Sequence, residues 1–193
     1  MKKFLLFTIC VAMAMAFAVP SHAQRLIPKQ KGIEVVGSVP LIKGEKLFQG
    51  NNFGMGVSLT RYLKCENYAF ALAEYEQQNM PYREYAVKLK DALLQVGYMN
   101  PILSDNDKNV FLYGGISALG GYEELNEDKK LLPDGATLLD RSHFVYGGAV
   151  HSSMELFLTD NLLLVLKAQG RLLFGSDVHR FRPALSAGLR FNL

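Results

Sequence analysis

The sequence predicts an all-β fold, a small antiparallel β-barrel of the outer-membrane type with about eight strands, preceded by an N-terminal signal peptide. Three observations predict it. The last stretch alternates without a break: Phe181, Pro183, Leu185, Ala187, Leu189, Phe191 and Leu193 share one face, and Arg182, Ala184, Ser186, Gly188, Arg190 and Asn192 share the other. Successive strand side chains point to opposite faces, so this is a strand with one apolar and one polar side. At the other end of the chain, Lys2 and Lys3 precede an apolar run from Phe4 to Val19, and Ser21 and Ala23 place small residues at a cleavage site, the layout of a secretory signal peptide cut after Ala23. Between the two lie further alternating segments separated by turn residues, with no second apolar run of helix-spanning length.

The leader is too short and too diluted by Met, Ala and Thr for a comfortable span of about 20 residues. Cys10 lies deep within it, and Phe7, Thr8 and Ile9 do not make a lipoprotein signal. Removing residues 1–23 leaves about 170 residues, a length typical of one domain. We divide the chain into a signal peptide, 1–23, a short periplasmic arm, 24–31, which is polar and carries Pro28, and a single barrel domain, 32–193. The net charge of +3 includes Lys2 and Lys3, so the mature chain is nearly neutral. It has no basic run or stripe, which argues against nucleic acid as a direct ligand. Trp is absent while Tyr and Phe are plentiful, so interfacial anchoring falls to the latter two. Cys65 is the only cysteine beyond the leader, and no internal disulfide framework exists.

The first strand, Gly32 to Val39, alternates weakly, because Ile33, Val35 and Val36 do not mesh cleanly with Glu34 and Gly37. Pro40 and Gly44 mark a loop up to Gln49. The second strand, Asn51 to Leu63, is clear: Phe53, Met55, Val57 and Leu59 oppose Gly54, Gly56, Ser58 and Thr60. Small inward residues let a small barrel curve and leave room for large neighbours. Lys64 to Asn67 reads as a tight turn, and a third strand runs to Gln77, with Asn79-Met80-Pro81 expected to break it. Tyr82 to Met99 fits two readings. Tyr85, Leu89, Ala92, Leu93 and Val96 have helix-like spacing. As a strand, Ala92, Leu94, Val96 and Tyr98 face out with Lys88 and Lys90 on the same face. A lysine at the bilayer midplane costs about 2–4 kcal/mol and almost nothing at the interface. The strand therefore needs the two lysines above the membrane, or a bulge near Asp91. The strand is preferred, since it supplies the fourth of an even number.

A turn is expected from Asn100-Pro101 through Asp107. A fifth strand spans Asn109 to Tyr122, followed by the longest polar stretch, Glu123 to Arg141. The sixth strand, Ser142 to Leu158, puts Phe144, Tyr146, Gly148 and Val150 opposite His143, Gly147, Ala149, His151, Ser153 and Glu155. Thr159-Asp160-Asn161 is a short hairpin loop. The seventh strand runs from Leu162 to Phe174, and Gly175-Ser176-Asp177 turns the chain into the eighth. With the N-terminus periplasmic, connections after strands two, four and six should be short, and the longest loop falls on the outer side. An eight-stranded barrel has an interior just filled by side chains. Lys167, Arg171, Arg182 and Arg190 would face inward, with Glu155 and Glu74 as candidate partners, and the lumen would be a plug of ions.

Enzyme and metal constellations are missing. His143 and His151 share a face but stand eight residues apart, about 27 Å along a strand. His151 and Ser152 point to opposite faces. Asp105, Asp107 and Asp177 lie in turns without EF-hand spacing. Gly54 and Gly56 lie within a strand and form no phosphate loop. Cys65 sits near a periplasmic turn, where a partner disulfide is less expected than no role at all. No catalytic, cofactor-binding or metal residue is assigned, no cofactor is expected, and binding residues are not identified.

Several pieces in order carry a resemblance: the secretion signal, Gly97-Tyr98-Met99 before an Asp-rich turn, Gly121-Tyr122-Glu123-Glu124-Leu125-Asn126, Asp134-Gly135-Ala136, Phe144-Val145-Tyr146-Gly147 and the closing strand. Together they resemble the conjugative transposon protein TraO family of Bacteroidetes, over most of the mature chain. The resemblance implies a component of the conjugative DNA-transfer apparatus in the cell envelope, encoded beside other transfer genes, and carries over no catalytic residue. The reading is a non-enzymatic structural component of that apparatus at the outer membrane, meeting other conjugal transfer proteins and outer-membrane lipid. Its loops and periplasmic arm would be the working surface. Two alternatives remain: an adhesin or porin-like surface barrel, and a soluble periplasmic barrel with an apolar ligand inside. The last would turn Leu185, Ala187 and Leu189 inward and Arg182 and Arg190 outward.

Overall fold

The computed structural model describes residues 26–41, 52–82, 85–125, 142–176 and 179–193. The signal peptide and most of the Glu123–Arg141 loop lie outside them. Eight strands follow one another: β1 (Lys31–Pro40), β2 (Phe53–Tyr62), β3 (Tyr68–Tyr82), β4 (Tyr85–Ser104), β5 (Val110–Leu125), β6 (Ser142–Phe157), β7 (Leu162–Phe174) and β8 (Phe181–Asn192). Each pairs antiparallel with its neighbour in sequence, and β8 returns to β1 from Gly32↔Asn192 to Pro40↔Ala184. The barrel is closed, and closure leaves no sheet edge around its wall. No helix among the described residues is long and apolar enough to cross a membrane.

One end carries three short connections, 63–67, 105–109 and 158–161; we call it the turn end. The other, the loop end, carries 41–52, 126–141 and 175–180 and the two-residue link 83–84. As expected, the three turn-end connections are short and the longest connection lies at the loop end, but the shortest of all, 83–84, also lies at the loop end. Asp105 builds one of the short turns by accepting hydrogen bonds from the backbone N–H groups of Asn109 and Val110 at 2.7 and 2.9 Å. Cys65, exposed and at φ 60°, occupies the 3-10 turn Lys64–Glu66. Within the arm, Leu26 packs against the aromatic cluster at the turn end, and the Lys29 N–H donates to the Tyr62 carbonyl at 2.9 Å. This part of the arm is therefore folded back against the barrel.

Tyr85 to Met99 is strand, and no helix forms among the described residues there. The apparent helical spacing arises because apolar residues occur on both faces of β4 at this level: Leu89 and Leu93 point into the lumen beside Asp91 and Gln95, while Ala92, Leu94 and Val96 point out. No register shift occurs at Asp91, and Lys88 and Lys90 stand on the outward face toward the loop end. Two expected breaks are corrected. Asn79-Met80-Pro81 does not end β3, which continues to Tyr82. There Pro81 pairs only with Ala86, beyond the last β2 partner at Gln77↔Phe53, so its missing N–H faces an edge. Asn100-Pro101 does not begin a turn either. β4 runs on to Ser104, and a bulge between Pro101 and Leu103 accommodates the proline. Glu123 to Leu125, assigned to the long loop, extend β5.

Candidate functional site

The pleat sorts every strand into an outward apolar row and an inward row of mixed character. On β8, Leu189 is 50% exposed and Arg190 0%. Leu185 and Ala187 also face out, and Arg182 is buried. The apolar face is thus on the outside, opposite to the arrangement an interior apolar-ligand site requires. Ile33, Val57, Leu94, Ile116 and Val150 continue the outward belt around the wall. Aromatic residues border it, with Tyr75, Tyr122, Phe144, Phe174 and Phe181 on the loop-end side and Tyr98 and Phe191 on the turn-end side.

The lumen is packed. Toward the turn end, Tyr62, Tyr68, Phe111 and Tyr113 form an aromatic layer, with Tyr68 and Tyr113 ring centroids 5.0 Å apart in an edge-to-face contact. Glycines make room for neighbouring lumen side chains: a Cβ on Gly97 would lie 2.6 Å from the Phe70 ring, and one on Gly56 3.1 Å from Leu72. The small inward residues of β2 therefore have the role expected of them. The void bounded by Phe70, Glu74, His151, Lys167 and Gln169 measures about 10 Å³, room for about one water.

Charged groups fill the remaining space. All four inward cations among the described residues lie on the last hairpin, Lys167 and Arg171 on β7 and Arg182 and Arg190 on β8. Six inward carboxylates, Glu34, Glu74, Glu76, Asp91, Glu123 and Glu155, come from β1, β3, β4, β5 and β6. Arg190 is the centre of the turn-end group. It donates to Glu34 at 2.9 and 3.0 Å, to Glu155 at 2.8 Å and to the Tyr62 hydroxyl at 2.9 Å, and lies 4.6 Å over the Tyr68 ring. Tyr68 donates to Glu155 at 2.6 Å, and Lys167 completes Glu34 at 2.5 Å. Toward the loop end, Glu76, Asp91 and Glu123 stand side by side in register across β3, β4 and β5. Arg171 and Arg182, themselves paired across β7 and β8, answer from across the lumen. Arg171 reaches Glu76 at 2.5 Å and Glu74 at 3.5 Å; Arg182 reaches Asp91 at 2.7 Å and Glu123 at 2.5 Å. Like charges directly opposite destabilise a ladder, so each row depends on the other. Ser176 and the His179 carbonyl tie the β7–β8 connection to Arg182 at 2.6 and 3.0 Å.

A family model described as conjugative transposon protein TraO matches residues 27–193. The chain belongs to the TraO family. Among solved structures, this TraO-family barrel is similar to Ail, the attachment invasion locus protein of Yersinia pestis, with a TM-score of 0.55 and 10% identity over 86% of this chain and 100% of that one. Neisserial surface protein A matches with a TM-score of 0.53 and 14% identity, covering 85% of this chain and 96% of that one. The N-terminal β-barrel domain of Pseudomonas aeruginosa OprF matches at 0.51 and 11%, covering 86% and 98%. At such identities the likeness shows the fold, a barrel of the outer-membrane type. No curated protein matches the chain.

In the TraO-family barrel the sequence-assigned lumen groups meet as expected: Lys167, Arg171, Arg182 and Arg190 face inward, Glu155 meets Arg190, and Glu74 lies beside Arg171. Sequence reasoning missed Glu34, Glu76, Asp91 and Glu123 as partners. Their signal was parity, since Glu76 is two residues from Glu74 and Glu34 shares a face with Val36 and Ser38. His143 and His151 face the lumen separately: His143 meets Glu123 at 3.2 Å, and His151 meets Ser117 at 2.8 Å. Ser152 is exposed on the opposite face from His151. Among the described residues no group of three or more His, Cys, Asp or Glu is placed to hold a metal ion.

Proposed function

We propose that this protein is a non-enzymatic structural component of a conjugative DNA-transfer apparatus, seated in the outer membrane. Residues 1–23 serve as its cleaved signal peptide, 24–31 as a short arm at the periplasmic side, and 32–193 as the barrel. Its partners are other conjugal transfer proteins of the envelope and outer-membrane lipid, and it takes no nucleic acid and no cofactor. The observation that carries the reading is the TraO family match over 27–193. The outward apolar belt supports the membrane placement, because a wall of Ile, Leu, Val and Phe facing outward needs hydrocarbon around it. The ion-filled lumen supports a role exercised through rims and loops, since an eight-stranded bore just filled by side chains is too narrow for DNA.

The test fractionates envelopes of cells carrying the transposon and compares unboiled with boiled samples by gel migration. A fast-migrating unboiled form in the outer-membrane fraction is expected, and the purified protein should bring other transfer proteins with it. Deleting the gene should abolish transfer while envelope integrity is retained. A protein released with the soluble periplasm, or a deletion strain that transfers normally, overturns the reading.

A further inference from the structure

Lys31 and Arg61 stand directly opposite each other across the β1–β2 ladder, both exposed on the outward face. Two opposed cations repel and weaken a strand pair, so the fold gains nothing from them. Lys64 follows in the next turn, and Lys29 precedes β1, its backbone held by the bond to Tyr62. All four side chains are exposed, and none forms an ion pair among the described residues. Two other rim cations are answered: Lys90 lies 3.8 Å from Glu124, and Lys108 meets Glu66, while Arg180 stands exposed at the loop end. Four unanswered cations thus gather in one corner of the turn end.

Their depth indicates what answers them. Two residues along the same outward rows, Ile33 and Leu59 begin the apolar belt, 43% and 58% exposed. Exposed Ile27 and Leu63 lie in the same corner. Basic groups at the edge of such a belt rest their alkyl stems along it and hold their charge at the level of lipid headgroups. The guanidinium offers a fork matched to phosphate oxygens, and the ammonium groups add point charges. Given the outer-membrane placement proposed above, on which this rests, we infer that the Lys29–Lys31–Arg61–Lys64 corner binds the headgroup phosphate of an anionic phospholipid in the leaflet at the turn end.

The test uses the folded, full processed chain in neutral detergent. Dioleoylphosphatidylglycerol or dioleoylphosphatidylcholine is added, and retained lipid is counted by native mass spectrometry. The native protein should retain phosphatidylglycerol preferentially, less so as salt rises. The K31Q/R61Q protein should lose roughly tenfold of that preference, while K88Q at the opposite end keeps it. If the double variant does not fold, R61Q and K64Q separately should each lose roughly threefold. Equal retention of both lipids by the native protein, an unchanged preference in the variants, or displacement of the lipid by polyglutamate overturns the inference. Failure of the membrane placement itself reads differently, as a soluble periplasmic protein whose migration does not change on boiling.

Discussion

The two halves of the lumen solve the same problem differently. In the turn-end half, two cations, Arg190 and Lys167, face two carboxylates, Glu34 and Glu155, and tyrosine hydroxyls fill the remaining hydrogen-bonding positions. In the loop-end half, two cations, Arg171 and Arg182, face four carboxylates, Glu74, Glu76, Asp91 and Glu123. Unpartnered buried atoms are found here too, Asp91 Oδ1 and Arg171 Nε among them. One half is charge-balanced and locked by aromatic packing. The other holds excess negative charge close to a mouth where His143 remains partly open to solvent. Breaking a buried ion pair costs most where no water or other partner can replace the lost group.

The largest effect is therefore expected at Arg190. Arg190→Met leaves Glu155 without a cation and Glu34 with Lys167 alone in a buried layer, and should cost about 3–5 kcal/mol, read as the urea midpoint at which the fast-migrating unboiled form disappears. Arg182→Met removes an equivalent charge near the mouth, where His143 and Ser176 still contact Glu123, and should cost about 1–3 kcal/mol by the same assay. Equal losses in the two variants would mean that the halves do not differ. The smallest effect is the most discriminating. Asp91→Asn takes one charge from the row Glu76–Asp91–Glu123 and keeps an oxygen for Arg182, so stability should change by less than about 1 kcal/mol and in the stabilising direction. A loss as large as that of Arg190→Met would show that the acidic excess is compensated in full.

Strands whose two faces differ in polarity were legible in the sequence. β8, β6 and the later part of β7 alternate because their inward positions carry Arg, Lys, His, Gln or Glu against outward Leu, Phe and Val. β4 was ambiguous for the opposite reason, since Leu89 and Leu93 point inward on either side of Asp91, Leu93 within a small apolar cluster with Leu119, Val145 and Leu173. β1 was weak because Val36 belongs to the inner cluster with Phe70 and Leu72. The prolines misled because a break depends on whether a neighbouring strand needs the missing N–H, which is a property of the register. The acid partners stayed hidden for a similar reason. Which carboxylate reaches Arg190 depends on strand stagger, and Glu34 is 156 residues from it along the chain.

The placement on β7 and β8 of every inward cation among the described residues also bears on how the barrel closes. Strands one to six, without the last hairpin, would gather six carboxylates on one concave surface with no positive group among the described residues to answer them. Such an intermediate repels itself and has two open edges. Arrival of the final hairpin neutralises the surface and joins both edges in one step, and the step that seats Arg190 against Glu34 also pairs β8 with β1. Charge balance and closure therefore both depend on the end of the chain, through contacts of the longest sequence separation in the barrel. A chain halted before β8 would be an acidic, unclosed sheet, and its failure would be abrupt.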